Sequence, residues 1–182
     1  MRLRKTHFFL GLGLWLLLAV GEGHAQNPPP SEYQLKAAFL FNFAKFIDWP
    51  PETYADDKSP FIIGILGVNP FGSGLQQTVA GKKINERPIT IQTFRAAAEA
   101  TNCQILFICN SEKKHFSEII KSLHDAAVLT VSEADQFIES GGMVNFVQEA
   151  SKIRFQINDD AARAARLKIS SKLLNLAVRS PR

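Results

Sequence analysis

Side chains able to do chemistry are sparse in this 182-residue chain. His7 and His24 fall in a leader-like N-terminal stretch, leaving His115 and His124 on or near one helix. Ligands converge from one helix at spacings of three or four residues, not nine. No metal centre is expected, and no cofactor. The run SEKK, 111–114, matches the Ser-x-x-Lys element of penicillin-binding enzymes, but neither Ser-Asp-Asn nor Lys-Thr-Gly accompanies it. Ser111 therefore reads as a helix N-cap. The run GILGVNPFGSG follows an apolar strand, where open α/β sheets hold phosphates. Its glycines lack the G-x-G-x-x-G spacing and its loop holds no Lys or Arg, so turn geometry is the simpler reading. If the protein is a small-molecule binding module, Gly67, Asn69 and Gly72 are its candidate ligand residues. No paired acid and base can be placed, so catalytic residues are not expected and the chain does not read as an enzyme.

Cys103 and Cys109 flank QILFI, which reads as a strand. Six residues of strand span roughly 20 Å, beyond the reach of a disulfide. No intrachain disulfide is expected; buried free thiols are favoured over an intermolecular bridge.

The elements that would position these groups follow from periodicity. Glu32 to Trp49 reads as a helix begun by Ser31 or Glu32 and ended by the Trp-Pro-Pro sequence. Winding it at 100° per residue gathers Leu35, Phe39, Phe43 and Phe46 as the core face, with Phe41 nearly opposite. FIIGIL (61–66) is a continuous apolar run, as expected of a strand buried on both faces. Further strands are read near Ile89, at 103–109 and at 127–131. Helical pieces lie at 71–80, 95–102 and 111–124, and Ser132 is placed as the cap of a helix over 133–140. MVNFVQE and KIRFQIN flank Ala150-Ser151 as a hairpin, the second arm alternating Ile153, Phe155 and Ile157 with Lys152, Arg154 and Gln156. A last helix spans 160–177, capped by Asn158 or Asp159. Together these predict one α/β layered domain: a mainly parallel sheet of about six strands flanked by helices, with an antiparallel C-terminal hairpin at its edge.

MRLRK, then FFLGLGLWLLLAV, then a small-residue site at Gly23 and Ala25, is the order of a secretory signal. The expected organisation is a cleaved signal at 1–25, a stiff lead-in at 26–31, the domain at 32–178 and a tail at 179–182. Arg2, Arg4, Lys5 and Glu22 leave with the signal, so 18 basic and 16 acidic side chains remain. A near-balanced exported chain is a poor match for nucleic acid. No transmembrane segment is expected after cleavage.

Two features are not absorbed by the core. One is the surplus apolar surface centred on Phe41, for which burial under residues 52–60 or against the last helix is the competing reading. The other is the wet face of the edge strand, Arg154 and Gln156, otherwise read as solvated protection of a sheet edge. Lys172 is a weaker contact candidate. Both features point toward contact with another protein.

EYQLKAAFLFNFAKFIDWP, VLTVSEADQFIESGGMVNFVQEASKIRFQIN and RLKISSKLLNLA together resemble the YfiR-like family of exported bacterial proteins. The resemblance runs from Glu32 to Ala177. It implies a small periplasmic α/β protein, often dimeric and without established enzymatic activity. It also implies a partner: the periplasmic domain of an inner-membrane diguanylate cyclase or other sensor, such as a histidine kinase, restrained from outside the membrane. Disulfides contribute to stability or redox response in the regulator type. Cys103 stands where the family often has a cysteine, whereas position 64, on the neighbouring strand, is Gly.

Overall fold

The computed structural model describes residues 30–178. The expected signal at 1–25, most of the lead-in and the tail at 179–182 lie outside them.

Helix α1 (Glu32–Phe46) opens with a reciprocal cap: the Ser31 hydroxyl accepts from the Gln34 amide, and the Gln34 side chain accepts from the Ser31 amide. Such a cap stabilises by about 1 kcal/mol. The helix stops where Ile47 turns extended, and Ile47–Asp48 forms the two-residue strand β1. Its buried face differs from the expected one. Lys36, Ala37, Leu40, Phe43 and Ala44 point inward, whereas Leu35 and Phe46 are each 37% exposed. Lys36, buried by its pairing with Glu133, lies on the real stripe and turns it away from the expected one.

The main sheet has seven strands in the order β3-β4-β2-β5-β6-β7-β8. Strand β2 (Phe61–Leu66) lies in parallel between β4 (Arg87–Phe94) and β5 (Ile105–Ile108). Strand β6 (Leu129–Ser132) continues the parallel array to β7 (Val144–Glu149), and β8 (Lys152–Ile157) closes the edge antiparallel to β7. The hairpin turn holds Ala150 and Ser151 at φ of 45° and 64°, as a two-residue turn matched to strand twist requires. Pro88 sits in β4 where the short β3 (Lys83–Ile84) covers only its start. The mixed, mostly parallel α/β domain with an antiparallel edge hairpin is as the sequence predicts.

Strand alternation divides the core. Ile105 and Phe107 face α1, α2 (Gly74–Val79) and the C-terminal elements; Leu106 and Ile108 face α3 (Phe116–Ser122) and Phe137. Phe43 is fully buried and meets Phe146 and Phe155 at ring-centroid distances of 5.8 and 5.1 Å.

Three expectations are revised. The run 133–140 forms turns, not a helix, because the buried Ser132 hydroxyl donates to the Ile108 carbonyl at 2.7 Å and fastens β6 to β5. Ser111 caps no helix: its stretch is 3-10 over Asn110–His115, and its hydroxyl accepts from the Val68 amide. The single last helix is two. Arg166 takes a left-handed φ of 64°, and the Leu167 amide bonds the Ala162 carbonyl, ending α4 (Asp159–Ala164). Lys168–Ile169 then forms β9 against β1, and Ser170 caps α5 (Ser171–Leu174). Asn158 caps α4, accepting from the Ala161 amide.

Candidate functional site

The expected partner residues fall in separate places. Phe39 meets Phe146 and Phe155, at 5.9 and 5.5 Å, on the hairpin side of α1. Phe41, two residues on, points to the opposite flank, where the Lys82 and Lys45 ammonium groups stand 4.5 and 5.7 Å from its ring centroid. Its ring is half-buried and packs against the core. Arg154 and Gln156 share the face of β8 turned away from α1, with Arg154 exposed and 3.8 Å from Glu149. Lys172 is exposed on α5. The structure thus brings Arg154 and Gln156 onto one face and leaves Phe41 on another flank, near Lys82.

Exposed apolar surface lies elsewhere than at Phe41. Leu35 and Phe46 on α1 are exposed, as are Leu176, at 62% just beyond α5, and Val68, at 76% in the loop after β2. The Ser170 amide donates to the Phe46 carbonyl, and the Val178 amide to the carbonyl of Phe155, which meets Phe39. The segment holding α5 therefore lies along this flank of α1. Sequence reasoning placed Leu35 and Phe46 in the core and did not single out Leu176, whose i,i+3 spacing from the buried Leu173 reads as core.

The loop expected to bind a ligand is shaped by its own packing. Gly67 has φ of 96°, and a Cβ there would stand 2.4 Å from the Ser111 hydroxyl. The Asn69 side chain accepts from the Phe71 amide at 2.9 Å, and Gly72 sits at φ of 53°. These residues do not line the largest cavity described.

That cavity, of about 600 Å³, opens at the carboxyl ends of β5 and β6. Glu32, Tyr33 and Lys36 of α1 form one wall, Asn110 and Lys113 another, and the loop Glu133–Asp135 its rim, with Asn145 to Gln148 of β7 behind. The Lys36 ammonium is buried and paired with both Glu32 and Glu133. The Tyr33 hydroxyl donates to Glu133 at 3.0 Å. Burial, reinforced by that bond and by the carboxylate charge, pushes the Tyr33 phenol up to about 12. Asn145, on the face of β7 opposite Phe146 and α1, is buried and lines the same cavity, and its Oδ1 has no hydrogen-bond donor. Sequence reasoning missed this cluster because Lys36 and Glu133 lie 97 positions apart.

Cys103 and Cys109 are both buried, and no disulfide joins them. Burial pushes each thiol up to about 12, helped at Cys109 by Glu133 and Glu112. Among the described residues no three His, Cys, Asp or Glu side chains are grouped to hold a metal, and no helix is long and apolar enough to cross a membrane.

A single α/β domain with a polar cleft at its strand ends is the class that fold and cleft define. The chain belongs to the YfiR/HmsC-like family (DUF4154), which it matches over residues 33–178. That family is one of periplasmic proteins with regulatory rather than catalytic roles and protein partners in signalling. Comparison with curated proteins finds no match. Among solved structures the chain is similar to a conserved domain protein from Vibrio cholerae O1 biovar El Tor strain N16961. The two are 12% identical with a TM-score of 0.58, over 83% of this chain and 60% of that one, so the likeness is one of fold.

Proposed function

We propose that this protein is an exported, non-catalytic regulator that binds the periplasmic domain of an inner-membrane signalling protein of the diguanylate cyclase type and represses it. The observation that carries the reading is the family match across nearly the whole described domain. Exposed apolar side chains at Leu35, Phe46 and Leu176 support it, because apolar area left outside a filled core favours docking. So do the exposed cations Arg154 and Lys172, which offer directional hydrogen bonds at an interface rim.

Repression needs only a preference for one receptor state. A tenfold preference corresponds to about 1.4 kcal/mol, and a few kcal/mol moves a two-state receptor almost fully. A homodimer formed through the same apolar flank would compete with the receptor for it.

The reading is tested by deleting the gene in its host and measuring cellular cyclic di-GMP. Repression predicts a rise, reversed by a signal-bearing copy and not by a copy lacking residues 1–25. An unchanged level in the deletion strain speaks against a cyclase as the target.

A further inference from the structure

The cavity at the strand ends is a gap in the sheet itself. Strand β6 stops at Ser132, paired with Asn145, whereas β7 runs on to Glu149. From Phe146 to Glu149 the flank of β7 turned toward β6 therefore has no neighbouring strand among the described residues. The Asn158 amide donates to the Met143 carbonyl, which makes 143 and 158 a hydrogen-bonded pair of the β7–β8 ladder. Alternation then makes Val147 and Arg154 another, so the backbone groups of Phe146 and Gln148 point away from β8; the Phe146 amide is taken by the pairing with Ser132, and the Phe146 carbonyl and both Gln148 groups face the gap. The Val178 amide, bonding the Phe155 carbonyl from the far side of β8, fits the same alternation.

An independent feature lies beside this flank: the Oδ1 of Asn145, buried, lining the cavity and lacking a donor. A buried acceptor left without a donor costs on the order of 1–3 kcal/mol, which a ligand N–H would recover. Around it the lining carries three carboxylates, Glu32, Glu133 and Asp135, against Lys36 and Lys113. The walls come from both sides of the sheet, α1 on one and Asn110 and Lys113 on the other, so the gap is a slot that continues the line of β6.

We propose that this slot binds an extended peptide segment of a partner protein, which adds to β7 as a short strand beside Phe146–Glu149 and gives a hydrogen-bond donor to Asn145. Four residues of β7 span about 13 Å, room for a segment of three or four residues. The excess of carboxylates favours a neutral polar or basic segment over an acidic one. The proposal rests on the regulator reading and deepens it by naming the form in which a partner chain is grasped.

The test selects hexapeptides from a random display library on the mature chain, 26–182, and titrates the winners into the ¹⁵N-labelled protein. Strand addition predicts shifts centred on Phe146–Glu149 and at least tenfold slower exchange of the Gln148 amide. It predicts at least tenfold weaker binding after N-methylation of alternate peptide nitrogens in one of the two registers. Asn145→Val should weaken binding by a similar factor, and Gln148→Pro, which removes an amide hydrogen turned away from β8, should do so without loss of the hairpin. Circular dichroism and Tm establish that each variant folds. Peptides that shift only the Leu35–Phe46 flank, that tolerate N-methylation in both registers, or that are never recovered would overturn the slot. Receptor capture unaffected by both folded variants would also reject it while leaving the regulator reading intact.

Discussion

Two cysteines in a member of a periplasmic family invite a redox reading, and their surroundings argue against one. Both thiols are buried and displaced upward to about 12, so the nucleophilic thiolate is scarce at neutral pH. Ellman's reagent at pH 8 should label neither in the native protein and both after unfolding in guanidinium. Prompt labelling of the folded chain would contradict this environment. The same shifts set a pH dependence. Groups whose folded pKa lies above the unfolded value hold protons more tightly when folded, so their stabilisation is complete below the unfolded value and fades above it. Cys103 and Cys109 start from 9.0 and Tyr33 from 10.0, each rising to about 12. Stability measured by urea denaturation should therefore decline from about pH 9 toward pH 12.

Position 64 explains why the strand beside Cys103 carries no second cysteine. A Cβ on Gly64 would lie 2.7 Å from the Phe94 ring and 2.9 Å from Leu106. Gly64→Ala should cost about 1–3 kcal/mol by overpacking, read as a lower urea midpoint at unchanged m. A neutral or stabilising effect would mean that Phe94 moves aside freely. Lys36 is a different case, a cation held in the interior by two carboxylates. Its removal leaves the mostly buried Glu133 facing Tyr33 without a counter-ion.

At the scale of elements, the first helix shows what the sequence carried and what it did not. Its start was legible because the Ser31 cap is a local signal, whereas its end at Phe46, short of Trp-Pro-Pro, was not, because Ile47–Asp48 pairs with the distant Lys168–Ile169. Its orientation was not, since a lysine at position 36 reads as outward until Glu133 is known to lie opposite. Strands 61–66, 144–149 and 152–157 were legible from apolar runs and alternation. The break in the last helix was hidden because its left-handed end is Arg166, not a glycine. Ser111 and Ser132 misled for a shared reason: each hydroxyl is tied to a distant backbone group, Val68 or Ile108, that the local sequence does not reveal.

The two candidate flanks of α1 can be separated by substitution. Phe41→Ala removes a half-buried ring packed against the core and should lower stability by about 1–3 kcal/mol, below the roughly 3–5 of a fully buried Phe. Leu176→Glu alters an exposed side chain and should leave Tm within about 2 °C while weakening receptor capture at least fivefold. Normal capture by folded Leu176→Glu, with capture lost in folded Phe41→Ala, would transfer the interface to the α2 flank.

For the whole molecule, the layered sheet presents two kinds of surface to a partner: an apolar helix flank and an unfinished strand flank. Neither resembles a catalytic centre, and both suit a protein that works by choosing among receptor conformations. Docking to a periplasmic receptor domain can be measured by calorimetric titration of residues 26–182 into the purified periplasmic domains of the host's membrane diguanylate cyclases. A repressor of this kind should bind at least one of them saturably, with a Kd in the micromolar range or tighter; heats indistinguishable from dilution for every domain would rule the docking out.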